Sequence, residues 1–504
     1  MVVITLLNTQ DAMPTIGLGY LASYYMKYGK NNKKVKFKII ECARSYDCRL
    51  VEPIPSILSR VKGTDILAMA TITQDFTTLL EIADKVKKKF GIPIIMGGHH
   101  ISALPQSLPS TADIGVIGEG EQTFAELIDI FVKQKKFTPD VLKKVLSICY
   151  HDPKTRSIHI NPRRPVIEDL DIIPVPARHL FNEDYWKPKK GNYEMEGKIF
   201  GDINTSRGCP YDCVFCSSAK HWGNRIRFFS AERVVAEIKE LHETYGCDLI
   251  GINDDLATVN MARLEKIADL MEKTGSIDKI QIYSVQARAD VFNQRLCNVL
   301  KRLKVKKIAI GVESGSDKTL RYIKGGNINA EKNREVIKLA LKNGFEVWPQ
   351  LIVGAPGETK EDVLKTLEFT KIPGIVNYQI CLLTPLPGTR LWEYAKSKGL
   401  VSDSMDWSRL SLEVNEKNIS KKVYLCEKIS RRELWHLIKE PLERVRNHQL
   451  RNVKINIKYS WKEYLHKTIK QPQKYIPLIK DIIFAKIMGK IITTVNLLIL
   501  VKVI

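Results

Sequence analysis

The sequence predicts an α/β protein with two parallel sheets and a basic, helical C-terminal region. Three observations support this fold class: apolar runs alternate with helical patterns over residues 1–150, a second alternation starts at Asp202, and the alternation is lost toward the C-terminus. Strands separated by helices pair in parallel, because each helix returns the chain across one face of the sheet. The predicted domains are 1–150 and 198–400, with a proline-rich connector at 151–197 and the C-terminal region at 401–504.

The first alternation predicts a doubly wound, Rossmann-like sheet. Sheets of this type bind ligands beyond the carboxyl ends of their strands. Three loops meet at that edge, at residues 8–14, 97–100 and 118–121. The predicted strands lie at 2–7, 35–41, 65–70, 92–96 and 114–118, and the predicted helices at 17–28, 54–61, 77–90 and 121–132.

The second alternation predicts a partial (β/α)6 barrel. The active site of a barrel of this kind lies at the carboxyl ends of its strands. The predicted strands lie near 202–206, 248–252, 279–284, 307–312, 346–353 and 377–383, and the helices near 230–244, 260–273, 291–303, 330–343 and 359–370.

The formal charge of +23 is distributed unevenly along the chain. Residues 421–504 hold 19 Lys and Arg against 6 Asp and Glu, and therefore +13 of the total. A basic tail indicates an anionic partner such as nucleic acid or a membrane surface, although a Lys-rich soluble helical surface gives the same balance.

Aromatic residues interleave with these cations, and an apolar run of eleven residues, 491–501, follows them. Because about 20 apolar residues are needed to cross a bilayer, the run fits an interfacial helix better than a membrane span. The apolar N-terminus lacks the charged segment of a signal peptide. We therefore expect a cytoplasmic protein with peripheral contact to anionic lipid; base stacking on nucleic acid would use the same residue types. The aromatic residues are Trp435, Tyr459, Trp461, Tyr464 and Tyr475.

Three of the ten cysteines, Cys209, Cys213 and Cys216, fall within eight residues. Such crowding indicates metal binding in a reducing compartment and not a disulfide framework. Thiolates suit iron–sulfur clusters, and three of them would leave one iron open. A structural zinc site is the alternative, but it needs four ligands, and the other cysteines are scattered singly.

This loop, with Phe215 before its last cysteine, has the CxxxCxxC spacing and resembles the radical S-adenosylmethionine (SAM) superfamily. The resemblance covers roughly residues 200–400. It implies a [4Fe–4S] cluster on Cys209, Cys213 and Cys216 that binds SAM at its open iron and splits it with one electron from an external donor of the flavodoxin or ferredoxin type. It also implies that Phe215 lies beside the adenine.

Other predicted strand ends resemble SAM-binding segments of the same superfamily. Gln286 and Arg288 follow the third barrel strand, where a guanidinium would pair with the SAM carboxylate. Asp254 and Asp255 follow the second strand and are candidates for a substrate contact or a helix N-cap. The remaining expected SAM contacts are Glu313 and Ser314 after the fourth strand, and Val353 and Gly354 after the fifth.

The first 150 residues resemble the cobalamin-binding domain that precedes one large group of radical SAM enzymes. Many such domains carry a cobalt-ligating histidine in the first loop, but residues 11–17 contain none, so we expect a corrin without that ligand. His99 and His100 are candidates to approach the corrin instead. The expected cobalamin contacts are Asn8, Thr9, Gln10, Pro14, Gly17, Gly97, Gly98, His99, Gly118, Glu119, Gly120 and Glu121.

Together the two resemblances imply a methyltransferase that modifies an unactivated carbon, and the basic tail suggests a lipid-like substrate. Some enzymes of this group oxidise or cyclise their substrate instead. A tRNA methylthiotransferase is a second candidate, but it would need a second cluster on three N-terminal cysteines, and Cys42, Cys48 and Cys149 are poorly spaced. A sensor that binds the cofactors without turnover is the non-enzymatic alternative.

Overall fold

The structure is a computed structural model that describes residues 1–448 except 10–14, 43–51, 190–194, 196 and 413. The chain forms two large, mainly parallel sheets with helices on their faces, and the sequence predicts their parallel strands. In the described part of the chain, the helices fall short of the length and apolarity that a membrane crossing requires.

The N-terminal sheet has seven strands in the order β2-β1-β3-β4-β5-β6-β7. The first five pair in parallel, whereas the last two add an antiparallel edge that the sequence did not predict. These two strands are short, and the outermost is partly exposed, so their apolar signal is weak. The strands are β1 (Val2–Asn8), β2 (Val35–Glu41), β3 (Ile66–Ala70), β4 (Ile94–Gly97), β5 (Ile114–Val116), β6 (Ile148–His151) and β7 (Ile158–Ile160), and the helices are α1 (Ile16–Tyr28), α2 (Ile54–Val61), α3 (Phe76–Phe90), α4 (His99–Ala103), α5 (Glu121–Gln134) and α6 (Pro139–Leu142).

The second domain is an open, six-stranded, all-parallel barrel sheet in the order β15-β14-β13-β12-β11-β8. A small antiparallel hairpin, β9–β10, brackets the three-cysteine loop. The strands are β8 (Phe200–Ile203), β9 (Ser206–Gly208), β10 (Ile226–Phe228), β11 (Leu249–Ile252), β12 (Gln281–Ala287), β13 (Lys307–Glu313), β14 (Glu346–Val353) and β15 (Gln379–Leu382). The helices are α7 (Ser218–Trp222), α8 (Ala231–Tyr245), α9 (Met261–Lys273), α10 (Gln294–Arg302), α11 (Asp317–Lys324), α12 (Ala330–Lys342), α13 (Lys360–Leu367) and α14 (Arg390–Ser397).

Local sequence signals set the ends of the barrel helices. In α8, the Ser230 hydroxyl accepts the N–H of Arg233 and so caps the first turn. The helix ends at Gly246, whose left-handed backbone suits glycine. Its apolar face, which includes Val234, Ile238 and Leu241, packs into the barrel core.

The connector is part of the core and not a free linker. Ile167, Leu170 and Ile173 are buried in one cluster with Ile16 and Tyr20 of α1 and with the barrel helices. Apolar burial of this extent fixes the two domains against each other, because separating them would expose the whole cluster to water.

The C-terminal region differs from the predicted helical region. Residues 398–430 are mostly irregular, with one short 3-10 turn at Trp407–Leu410, and a helix occupies residues 431–448. Trp407 is buried between Phe76 and His100 of the first domain and Trp392 of α14. This segment therefore covers the seam between the domains. Residues 449–504, which hold most of the predicted membrane-contacting tail, lie outside the described residues.

A buried ionic network joins the two domains. The Glu119 carboxylate, which follows β5, lies 3.0 Å from Arg207 Nη1 and 2.9 Å from Arg227 Nη2 on the β9–β10 hairpin. Glu121 lies 2.5 Å from the other Arg207 amino group. All four side chains are only 5–6% exposed. Burial alone would raise the pKa of Glu119, but the hydrogen bond from Arg227 and the charge of Arg207 outweigh it and lower the pKa below the ordinary value.

The barrel interior holds a second buried carboxylate, Asp202 on β8, which is 2% exposed. Burial raises its pKa to about 7, although the nearby Asn253 side chain and the charges of Arg178 and Lys189 act in the opposite direction. The folded protein therefore holds the proton of Asp202 more tightly than the unfolded chain, where an aspartate titrates near 3.9.

We predict that replacing Glu119 with Gln destabilises the protein by about 3–5 kcal/mol, because buried Arg227 loses its anionic partner and buried Arg207 keeps only Glu121. The measurement is the free energy of unfolding from urea titration. As a matched control, Arg225→Gln removes the exposed Arg225–Glu168 pair and should cost less than about 1 kcal/mol. Equal losses in the two variants would contradict the assignment of the network as the joint between the domains.

We predict that Asp202 makes the protein less stable as pH rises from about 4 to 7, since the unfolded carboxyl ionises first over that range. Asp202→Asn removes the titration, so the variant should gain stability relative to the wild type as pH rises through this window. Unfolding at pH 5 and pH 8 measures the effect. A stability difference that does not depend on pH would rule out the raised pKa.

Candidate active site between the two domains

The three-cysteine loop is held rigidly at the carboxyl end of the barrel. It leaves β9 at Gly208, whose φ of +91° and close approach to the Arg225 carbonyl exclude a larger residue. The N–H of Val214 donates to the Ile323 carbonyl at 3.0 Å, and the Val214 carbonyl accepts the N–H of Leu391 at 3.1 Å. Backbone contacts with the ends of α11 and α14 thus fix the loop between its first and last cysteines.

The three predicted ligands lie together on this loop, and none forms a disulfide. Cys209 and Cys213 are half-buried and Cys216 is exposed. Burial nevertheless raises the pKa of Cys216 to about 12, and Asp255, Cys213 and Cys209 lie close enough to act on it electrostatically.

The donor set fits a cluster of four irons. Among the described residues, no group of three or more His, Cys, Asp or Glu side chains is arranged to hold a single metal ion. A [4Fe–4S] cluster makes a different demand, because each cysteine binds a separate iron and the three sulfurs stand apart.

Arg288, which follows β12, lies beside this loop. Its guanidinium stacks on the Tyr211 ring at 3.6 Å and lies 3.4 Å from the Cys213 sulfur. The Asp290 carboxylate lies 3.2 Å from the Arg288 guanidinium and fixes its orientation. A planar cation held next to the cluster loop suits a carboxylate ligand. Gln286, on the same strand, is half-buried.

In the segment after β13, two of the expected SAM contacts already bind other side chains of the protein. Glu313 has a φ of +62° after an irregularity in the strand pairing, and its carboxylate lies 3.4 Å from Lys324 Nζ. Ser314 is fully buried: its hydroxyl lies 3.1 Å from that of Thr366 and accepts the N–H of Ser316. Ser314 therefore holds the turn, and its expected hydrogen bond to SAM is not supported by this geometry.

The turn after β14 is closed by hydrogen bonds of its own. Val353 is buried, whereas the N–H groups of Gly354 and Ala355 donate to the Glu358 carboxylate at 2.6 and 3.1 Å. Phe215 is half-buried and packs in the same cluster as Ala355. Phe215 and Ala355 thus belong to one apolar cluster, and the position of Phe215 beside the adenine stays a prediction.

The two aspartates after β11 have separate roles. Asp254 is buried and accepts hydrogen bonds from the Thr205 backbone and hydroxyl at 2.5 Å and from the Ser206 hydroxyl at 2.6 Å, so it fixes the chain before the cysteine loop. Asp255 accepts from Ser218 at 2.6 Å and acts electrostatically on Cys209. It therefore faces the cysteine site, and neither residue is a helix N-cap.

The carboxyl edge of the first sheet offers an open cradle opposite this loop. Among the residues that the structure describes, none has an atom within 4 Å of a Cβ added at Gly17 or Gly118. Gly97 is half-buried, and Gly98, with a φ of +102°, approaches the Thr71 carbonyl too closely for a side chain. Open glycines at a sheet edge fit a large planar ligand such as a corrin.

Several of the other expected cobalamin contacts on this edge bind or pack against other residues of the protein. Asn8 and Thr9 are buried, and their side chains donate to Thr15 and Asp75. Gly120 packs against Leu21 of α1. Glu119 and Glu121 were expected to contact cobalamin, but both side chains bind arginines of the other domain. Gln10 and Pro14 lie outside the described residues.

His99 and His100 also differ in burial. His100 is fully buried, with its ring nitrogens 3.1 Å from the hydroxyls of Thr73 and Ser107, and burial lowers its pKa to about 3. It is a neutral structural residue. His99 is exposed toward the space between the domains, and its ring lies 4.2 Å from that of His221 on α7.

Sequence reasoning does not select His221, Arg207 or Arg227. Each is an ordinary residue near a motif, and its role comes from partners that lie far away in the chain. Of the three, Arg207 is the easiest to predict from the sequence. It lies two residues before Cys209, and a cation so close to a cluster loop suggests a buried acidic partner.

The comparisons with known proteins agree with this arrangement. Two family models match the chain: the radical SAM superfamily over residues 203–370 and the B12-binding domain over residues 2–128. An uncharacterized methyltransferase of Pyrococcus horikoshii is 32% identical over 79% of this chain and 81% of its own length. The bacteriochlorophyllide d C-8(2)-methyltransferase of Chlorobaculum tepidum is 24% identical over 84% of both chains.

A solved structure shows the same fold. The radical SAM methyltransferase TsrM of Kitasatospora setae, with cobalamin and a [4Fe–4S] cluster bound, superposes with a TM-score of 0.61 over 80% of both chains at 15% identity. Taken with the cysteine loop, the facing sheet edge and the two family models, these similarities establish that the chain belongs to the cobalamin-dependent radical SAM methyltransferases, enzymes that use a [4Fe–4S] cluster, SAM and cobalamin.

Proposed function

We propose that this enzyme methylates an unactivated carbon of an amphipathic, lipid-like substrate. The observation that carries the proposal is the contact between the two cofactor-binding edges: α4, which follows β4 of the first sheet, packs on α7, which follows the cysteine loop. When bound, the cofactors supply a radical that removes a hydrogen atom and a methyl group that replaces it.

The residues of the chain would bind and orient these groups. Cys209, Cys213 and Cys216 would hold the cluster, and Arg288 would pair with the SAM carboxylate. Gly17, Gly118 and the exposed His99 would border the corrin. The buried seam formed by Trp407 and the ionic network would exclude water, which would otherwise quench reactive intermediates.

The barrel interior suits a substrate with polar and apolar parts. Along β14, buried Val347, Leu351 and Val353 pack against the helices, and they alternate with half-exposed residues on the opposite face. Because successive strand side chains point to opposite faces, the half-exposed set lines the inside of the barrel. That set consists of Trp348, Gln350 and Ile352.

The proposal of a lipid-like substrate also rests on the composition of the C-terminal tail. Basic, aromatic and apolar residues occur there in the combination that binds anionic membrane surfaces. A substrate that resides in a membrane would need an enzyme at the membrane surface.

The methylthiotransferase alternative is disfavoured by the N-terminal cysteines. Cys149 is fully buried, and its Sγ lies 3.5 Å from the Pro105 carbonyl. Burial raises the pKa of this thiol to about 12. Cys42 is also fully buried, in the core of the first domain, and Cys48 lies outside the described residues. Two cysteines sealed in the core do not provide an accessible second cluster site.

We predict that Cys209→Ala, Cys213→Ala and Cys216→Ala each abolish release of 5′-deoxyadenosine by the anaerobically reconstituted, reduced protein. The control is Cys297→Ala on α10, a buried cysteine away from the loop, which should keep its cluster and its activity. Release that continues in the loop variants would refute the assigned ligands. A wild type that never turns over SAM would favour the sensor alternative.

We predict that deletion of residues 471–504 abolishes co-flotation of the protein with vesicles containing anionic lipid, because it removes the apolar end and part of the basic tail. Neutral vesicles serve as the control and should bind the full-length protein weakly. Flotation that is unchanged by the deletion would contradict the lipid-surface proposal, while leaving the cofactor assignments untouched.

A further inference from the structure

An open groove of about 460 Å³ lies between the two domains on the outer side of the cysteine loop. One wall is formed by α4 and the residues after it, from Ser102 to Gln106, and the other by α14. Lys220 of α7 lies between these walls, and Gly388 closes the floor: a Cβ at Gly388 would lie 2.9 Å from the Lys220 stem and 3.1 Å from Ala103.

The groove is connected directly to the cysteine loop. Arg390, on its α14 wall, donates to the Asp212 carbonyl at 2.6 Å and pairs with the Asp212 carboxylate at 3.1 Å. Asp212 precedes Cys213 in the chain. Lys220, on the opposite side, lies in the short helix that begins two residues after Cys216. The α14 wall therefore contacts the residue next to Cys213, and Lys220 lies in the helix that follows Cys216.

The groove is basic. Its lining includes four cations, Arg163, Lys220, Arg390 and Lys396, and one carboxylate, Glu393. Arg390 and Lys396 pair with acidic neighbours, Asp212 and Asp403.

The other two cations of the groove, Arg163 and Lys220, differ from Arg390 and Lys396 in their surroundings. Within the described ranges, neither Arg163 nor Lys220 has a carboxylate within ion-pair distance. Arg163 instead donates to the carbonyls of Ser102 and Lys220, both at 3.3 Å. Both side chains are exposed, and they carry net positive charge at the entrance to the groove.

We propose that this groove docks a small acidic protein that delivers single electrons from a reduced flavin or iron–sulfur centre. The inference rests on the proposed function, in which the cluster must gain one electron for each SAM that it splits. In the docked complex the carrier loses one electron and the cluster gains it, and no bond is formed or broken in that step.

Two physical arguments favour this occupant. Electron transfer weakens steeply with distance, so a carrier must approach the cysteine loop, and the groove is a surface that touches the loop backbone through Arg390. Transient complexes of this kind are small and are steered by opposite charge, which an acidic carrier and the exposed Lys220 and Arg163 provide. A nucleic acid would be attracted by the same charges but gains nothing from proximity to Cys213.

The test uses the full-length, reconstituted enzyme and a fully reduced bacterial flavodoxin as the probe. Lys220→Glu and Lys220→Gln form a graded series, and Arg163→Gln is a second site. The rate of cluster reduction at low ionic strength should fall about tenfold or more in Lys220→Glu and by less in the two neutral variants. Lys338→Glu, an exposed position on the outer helix α12, is the matched control and should stay within about twofold of the wild type.

Dithionite, a small reductant that needs no docking surface, separates the possible outcomes. The proposal expects dithionite to reduce the cluster of every variant at the wild-type rate. It also expects added salt to lower the rate at which flavodoxin reduces the wild-type cluster, but to change that rate little in Lys220→Glu. Equal flavodoxin rates in Lys220→Glu and the wild type would overturn it, as would losses that are the same with dithionite. Binding of an RNA oligonucleotide that depends on Lys220, without an effect on flavodoxin, would assign the groove to nucleic acid instead. Failure of the wild type to split SAM with either reductant would refute the proposed function itself.

Discussion

The position of each functional group depends on one buried ionic joint, formed by Glu119 and Glu121 of the first domain with Arg207 and Arg227 of the second. Buried ion pairs add little net stability, since desolvation offsets much of their attraction. Their geometry is nevertheless exacting, because a shift of one partner would leave charges unpaired in an apolar interior. The joint therefore fixes the register between a sheet edge that suits a corrin and a loop that suits a cluster.

This constraint explains how a cofactor pair can work across two separately folded sheets. The hairpin that carries Arg207 and Arg227 also brackets the cysteine loop, so the same short segment meets the first domain and orients the proposed cluster ligands. Asp254 holds the strand end that enters this hairpin, and Trp407 seals the seam behind His100. Rigid support of this kind keeps reacting groups in place and keeps water out.

Much of this arrangement could be predicted from the sequence, because the elements obey strong local rules. The parallel strands and their helices appear where the apolar periodicity places them, and the CxxxCxxC loop lies at a barrel strand end. What the sequence could not show depends on distant partners. Glu119 and Glu121 belong to a stretch that resembles cobalamin-binding domains, which predicts a cobalamin contact, and only the fold reveals their arginine partners. Residues 401–430 were expected to be helical, but Trp407 and its neighbours are held by tertiary packing in an irregular path.

The central claim is that one chain holds a single cluster and a single corrin at facing edges. The most direct measurement is the iron, sulfide and cobalt content of the full-length protein after anaerobic reconstitution with all three components, together with its absorption spectrum. The account predicts one [4Fe–4S] cluster and one cobalamin per chain. Two clusters per chain without cobalt would contradict it.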